Sequence, residues 1–206
     1  VSSAGKSTLG QDLTLVKLGH GSKKALITGG IHSREHLTVT FTMLCLEEYA
    51  AAYCSKTGAY GGYNMKQLLD SYTLYIVPLM NPDGMDVVTK FTNPLYKYTG
   101  SRMEFKSNAN GVNLNRNFPF YWGSITDGGI STRYTDVQRY KGPAAGSEAE
   151  TKAIMNLCKQ NRFEWLFSMH LRGNCIYWRD SASGTVSGDW DLTQKLVNKC
   201  GYWAVE

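Results

Sequence analysis

The stretch that decides the fold is 25-ALITGGIHSREHLTVTFTMLCLEEYAAAY-53. Residues 25–31 are apolar or small and read as a strand. Leu37, Phe41, Leu44, Cys45 and Tyr49 then recur at helical spacing, so residues 37–53 read as a helix. Between the two lies Gly29-Gly30-Ile31-His32-Ser33-Arg34-Glu35, where strand gives way to helix.

Working outward, residues 13–18 read as another strand, joined to 25–31 like a hairpin through Gly19-His20-Gly21-Ser22. Residues 72–79 form a strongly apolar strand that stops at Asn81-Pro82-Asp83-Gly84, a turn by composition. Residues 90–146 are rich in Asn, Gly, Thr and Tyr and read as long loops, which in a compact domain are usually functional. Ser147 and Glu150 have capping-box spacing at the start of a helix carrying Ile154, Leu157 and Cys158. Residues 165–169 read as a buried strand, and 191–200 as a helix closed by Gly201. Strands alternating with helices imply an α/β fold with a central mixed, mostly parallel sheet flanked by helices. No repeat, low-complexity tract or linker interrupts the chain, so residues 1–206 are expected to form a single domain.

Composition narrows the function. At 42% hydrophobic and 19% charged residues, the 206-residue chain has the make-up of a globular protein and not of a disordered one. No apolar run approaches the roughly 20 residues of a membrane-spanning helix. The net charge of +5 is spread without Lys/Arg blocks, which gives no support to nucleic-acid binding and suits a carboxylate-bearing peptide. Five cysteines with no CxxC pair argue against a Cys-based zinc site and exclude a dense disulfide framework. They are expected to be mostly buried free thiols. The opening Val-Ser-Ser-Ala-Gly-Lys lacks the apolar core of a signal peptide. The oligomeric state is not legible.

In sheets of this kind, ligands bind beyond the carboxyl ends of the strands. His32 and Glu35 follow the strand 25–31, and His170 follows the strand 165–169. Two neutral imidazoles and a carboxylate are N and O ligands that Zn²⁺ accepts, and a catalytic zinc takes three protein ligands and one open position. HxxE alone is a weak motif that arises often by chance; the shared end of the sheet is what singles out His170. His20, in a turn, and His36, at the helix start, are weaker candidates.

Several motifs carry a resemblance. Gly29-Gly30-Ile31-His32-Ser33-Arg34-Glu35, Asn81-Pro82-Asp83-Gly84, Gly111-Val112-Asn113-Leu114-Asn115-Arg116-Asn117-Phe118, Gly142-Pro143, Ser147-Glu148-Ala149-Glu150 and Ser168-Met169-His170 resemble the zinc metallocarboxypeptidase family, in the family's order. Phe118-Pro119-Phe120-Tyr121-Trp122-Gly123 and Ile176-Tyr177-Trp178 look like its bacterial branch, which includes γ-D-glutamyl-diaminopimelate cell-wall peptidases. The resemblance implies one Zn²⁺ held by His32, Glu35 and His170. It implies that Asn115 and Arg116 hold the terminal carboxylate of a peptide substrate, for which the planar guanidinium fork is suited. It also implies residence outside the cytoplasm or in the cell envelope.

The chain departs from the family pattern in three places. The family's general-base Glu lies in a late strand, and the closing Gly201-Tyr202-Trp203-Ala204-Val205-Glu206 does not resemble it, so the C-terminal part of the fold is expected to be lacking here. Lys106 stands nearest the family's oxyanion Arg, with Arg102 slightly upstream; Lys brings charge without the fork. Asn113 replaces an Asp that accepts a hydrogen bond from a zinc-bound imidazole, and loss of such a partner typically costs about 10–100-fold in metal affinity or activity. Leu171-Arg172 also departs from the small or polar residues common there, and Arg172 either favours an acidic substrate or lies on the surface.

The expected function is a zinc-dependent peptidase cutting near the carboxyl end of a peptide. The alternatives are a non-catalytic cell-wall-peptide or zinc-binding module of the same fold, and a zinc deacylase acting on N-acyl amino acids. The long GVNLNRNF segment fits a peptidase better than the deacylase.

Overall fold

A computed structural model of the protein describes residues 1–90, 100–125, 138–179 and 187–205. The chain divides into two compact units, Val1–His170 and Leu171–Glu206. The first contains strands β1 (Ser2–Lys6), β2 (Asp12–Leu18) and β3 (Lys23–Thr28), then helix α1 (Leu37–Cys54). The short strands β4 (Ala59–Tyr60) and β5 (Tyr63–Asn64) precede helix α2 (Met65–Ser71), strand β6 (Tyr72–Val77) and helix α3 (Pro82–Thr89). Helix α4 (Ala149–Gln160) and strand β7 (Trp165–Ser168) complete it. The second unit has strand β8 (Cys175–Tyr177), helix α5 (Ser187–Cys200) and strand β9 (Trp203–Val205), with β8 and β9 parallel.

The five-stranded sheet runs β1-β2-β6-β3-β7. Its β1–β2 and β2–β6 pairings are antiparallel and its β6–β3 and β3–β7 pairings parallel, so the sheet is mixed, with the parallel half at β3. From residue 12 to residue 15, β2 alternates exposed Asp12 and Thr14 with buried Leu13 and Leu15, the period of a strand with one wet face. β6 buries four consecutive residues, Leu74 to Val77, as a strand covered on both faces must. Alternate side chains feed two cores: Leu26, Tyr75 and Val77 join Ile154 and Leu157 of α4, while Ala25, Leu74 and Ile76 join Ala52 of α1 and Met65 and Leu69 of α2.

Several readings are corrected. β2 and β3 do not form a hairpin; β6 inserts between them, antiparallel to one and parallel to the other. Asn81-Pro82-Asp83-Gly84 is not a turn after a strand but the first turn of α3: Asn81 Oδ1 accepts the Gly84 N–H, and Pro82 takes the first helical position, where no N–H is needed. Strand β7 is half exposed because it lies at the edge of the sheet. Ser147 and Glu150 make no capping box. Ser147 Oγ donates to Glu148 Oε1, and Glu150 reaches away from its helix to Thr8. The loop region holds 3₁₀ turns at Arg102–Glu104, Leu114–Arg116 and Trp122–Ser124, and its residues 91–99 and 126–137 lie outside the described residues. All five cysteines are free; three are half-buried and Cys54 and Cys200 are exposed, so none sits fully in a core.

Helix α1 turns an unexpected face inward. It buries Thr38, Thr42 and Ala52, while Leu37, Phe41 and Leu44 are each more than half exposed. Close approach is the reason. A Cβ on Gly29 would stand 2.7 Å from both Pro78 O and Thr42 Oγ1, and one on Gly30, whose φ is +62°, would stand 2.8 Å from Val39 Cγ2. Small side chains that can hydrogen-bond fit this gap and Leu or Phe does not.

Glu150, fully buried, fastens three segments. Its carboxylate accepts from the Thr8 N–H at 2.9 Å, from Thr8 Oγ1 at 3.1 Å and from Asn108 Nδ2 at 3.1 Å. Burial nevertheless pushes the carboxyl above the usual range, against the pull of those donors. A raised folded-state pKa favours folding below the unfolded value of about 4.3, and that contribution fades as pH rises through the folded value. The stability gap between wild type and Glu150→Gln should therefore narrow from pH 4 upward; urea unfolding at several pH values reads it, and a gap that widened would contradict this account.

Candidate metal centre

Beyond β3 the backbone stays fixed. The Gly29 N–H donates to Val77 O and the Gly30 N–H to Thr38 Oγ1. Residues 32–35 then form a tight turn closed by the Glu35 N–H on His32 O at 3.0 Å. Thr38 Oγ1 donates to Glu35 O at 2.7 Å, and Ser33 Oγ to the carbonyls of Phe105 and Ser107 at 3.0 Å each. Asn81 Nδ2 donates to Ile31 O and Ser107 O, which pins the same turn from α3. Sequence reading missed Thr38, Ser33 and Asn81 as supports. Only Thr38, three residues past Glu35, had a local signal for it.

β3 and β7 run parallel in register from Ala25↔Trp165 to Thr28↔Ser168, and the Met169 N–H donates to Thr28 O. His170 therefore emerges at the same rim as His32. His32 Nδ1 lies 3.0 Å from Glu35 Oε1 and 3.1 Å from His170 Nδ1, and His170 Nδ1 lies 3.3 Å from Glu35 Oε2. One ligand atom from each residue falls within 4.8 Å of the others. His32 and Glu35 are buried; His170 keeps 32% of its side chain exposed.

The donor set fits a cation. His32 Nε2 faces Asn113 Oδ1 at 3.1 Å, and an amide oxygen only accepts, so Nε2 carries the proton and Nδ1 the lone pair. That lone pair points at a carboxylate and at the second imidazole. Ligand atoms about 2.0–2.2 Å from one tetrahedral centre stand roughly 3.3–3.6 Å apart, close to the spacing observed. Burial pushes the His32 pKa down, Glu35 opposes it, and the positive charge of Lys106 adds to the lowering. The neutral imidazole that results is the form that binds metal.

The other expected residues are placed as follows. Asn113 starts the 3₁₀ turn Leu114–Arg116 and accepts the Asn115 N–H on its side chain and the Arg116 N–H on its carbonyl. Asn115 is exposed and Arg116 half-buried on this one turn, held against His32 by Asn113. Lys106 is half-buried, near enough to act electrostatically on His32. Arg102 is half-buried in the turn Arg102–Glu104, and Arg34 pairs with Glu104 at 2.7 Å. His20 is elsewhere, 3.0 Å from Asp70, and His36 is exposed at the N-cap of α1. Arg172 is exposed in the second unit with φ +76°.

Comparison with known proteins gives the centre its context. The chain is 29% identical over 184 residues to a gamma-D-glutamyl-L-diamino acid endopeptidase 1 of Lysinibacillus sphaericus, covering 84% of this chain and 46% of that protein. It is 32% identical over 155 residues to a carboxypeptidase B of Rattus norvegicus, covering 74% and 34%. The chain thus spans half or less of the length of these curated relatives. A crystal structure of a carboxypeptidase A from Helicoverpa armigera shares the fold at a TM-score of 0.74 and 21% identity, over 96% of this chain and 47% of that one. A bovine thrombin-activatable fibrinolysis inhibitor shares it at 0.73 and 23%, over 98% and 67%. The zinc carboxypeptidase family model matches residues 1–201. Zinc is that family's metal, and the two imidazoles and one carboxylate gathered at the sheet rim are a donor set that takes it: the chain belongs to the zinc carboxypeptidase family.

Proposed function

We propose that this chain carries the zinc-binding part of a peptidase that hydrolyses a peptide bond near the carboxyl end of its substrate, with His32, Glu35 and His170 as the protein ligands of one Zn²⁺. The convergence of those three ligand atoms within 4.8 Å carries the reading. When bound, zinc supplies Lewis-acid polarisation of a carbonyl and activation of water.

The chain's own groups do the rest. Neutral His32, its Nε2 proton on Asn113, keeps a fixed lone pair toward the metal. Arg116 and Asn115 receive the terminal carboxylate, the guanidinium by paired N–H donation. Lys106 lends positive charge where oxyanion character develops. Proton transfer needs a further carboxylate within hydrogen-bond reach of the attacking water, and we assign it to none of these residues.

The Lysinibacillus relative, by its name, cleaves a gamma-D-glutamyl bond to a diamino acid. Together with Phe120-Tyr121-Trp122 and Ile176-Tyr177-Trp178, it supports a bacterial cell-wall peptide as substrate and residence at the cell envelope. A second reading, a module that binds such peptides without cutting them, draws support from Asn113, which brings no charge to its imidazole partner.

Three measurements test this. Titration calorimetry should show one tight Zn²⁺ per chain, lost in His32→Ala and in His170→Ala; tight binding retained by both would end the metal assignment. A chelator should lower the melting temperature, because saturation at about 100 times Kd contributes about 2.7 kcal/mol. With the whole protein, Arg116→Lys should raise KM about 10-fold or more for peptides with a free terminal carboxylate and spare their amides, the effect of about 1.4 kcal/mol or more of lost paired hydrogen bonding. Zinc binding without any cleavage by the whole protein would favour the binding module.

A further inference from the structure

Asn113 makes bonds at both ends of its side chain. Oδ1 accepts from His32 Nε2 at 3.1 Å and from the Asn115 N–H at 3.0 Å. Nδ2 donates to the carbonyl of Gln138 at 2.6 Å, while the Asn113 backbone N–H donates to Tyr140 O at 2.8 Å. Gln138 Nε2 in turn donates to Glu104 Oε2 at 3.1 Å, and that oxygen also receives Arg34 Nη1 at 2.7 Å. Arg34 is two residues from His32. The circuit His32–Asn113–Gln138–Glu104–Arg34 is closed.

We propose that Asn113 is a positioning residue whose amide links metal occupancy at His32 to the hold on residues 138–140. The inference rests on His32 being a ligand, as proposed above. A metal on His32 Nδ1 withdraws charge from the ring and makes Nε2–H a stronger donor. The bond to Oδ1 polarises the amide, and Nδ2–H then binds the Gln138 carbonyl more firmly, since each bond in such a chain strengthens the next. Only an amide does both. A carboxylate at position 113 accepts from His32 but turns an oxygen onto the Gln138 carbonyl oxygen, which sits 2.6 Å from Nδ2. An alanine does neither. The residue that departs from the family pattern is thus matched to a loop carbonyl that calls for a donor.

Hydrogen exchange at the amides of residues 138–140, read with and without zinc beside calorimetric zinc affinity, tests the link. In the wild-type chain zinc should slow that exchange by about 5-fold or more, the low end of ordinary coupling between sites. Asn113→Asp should bind zinc at least as tightly as wild type, yet exchange quickly at 138–140 with or without zinc. Asn113→Ala should lose about 10–100-fold in zinc affinity together with the protection. A wild type that binds zinc but shows no change at 138–140, or an Asn113→Asp that keeps the wild-type response, overturns the link alone. A wild type that takes up no zinc overturns the ligand assignment and the link with it.

Discussion

The parallel pairing of β3 with β7 is the contact on which the rest depends. Residues 138 positions apart, His32 and His170, meet because their strands run side by side in one direction and end at one rim. Antiparallel strands would have sent the two imidazoles to opposite ends of the sheet. The pairing holds because β3 is covered on both faces, with Leu26 in one core and Ala25 in the other, so no slip by one residue keeps both cores filled.

Around that rim the protein builds stiffness from short polar links in place of large apolar contacts. Gly29 and Gly30 let α1 come against the strand ends, and Thr38 and Thr42 hydrogen-bond in the gap. Ser33 and Asn81 tie the ligand turn to the carbonyls of residues 105 and 107, and Asn113 ties the ligand itself to the turn that carries Asn115 and Arg116. Every buried polar atom in these links is donor or acceptor to a named partner, the condition under which a buried network rigidifies a site. The same logic governs Glu150, a buried carboxylate retained because Thr8 and Asn108 supply its donors.

The strands and helices of the first unit were legible because their signals are local. Alternation in β2, an apolar run in β6 and helical spacing after residue 147 each lie within a dozen residues. Two of the misreadings share one cause, a remote segment that local sequence does not announce. The Gly-rich turn between β2 and β3 looks like a hairpin, since nothing within it announces that β6 will claim the place between them. Leu37, Phe41 and Leu44 look like a core face, since the rival face of threonines wins only when the Gly29-Gly30 backbone is pressed against it. Asn81-Pro82-Asp83-Gly84 has turn composition, and the same residues also start helices.

By itself the sequence determined the alternating elements, the identity of the candidate ligands and the motifs of the family, because these are properties of residue type and short spacing. Tertiary structure alone decided the strand order, the choice of Nδ1 as the atom of His32 that faces Glu35 and His170, and the attachment of Asn113 to Gln138. Those depend on which backbone carbonyl or ring nitrogen stands within 3 Å or so of which donor, and such distances between remote segments exist only once the chain has closed on itself.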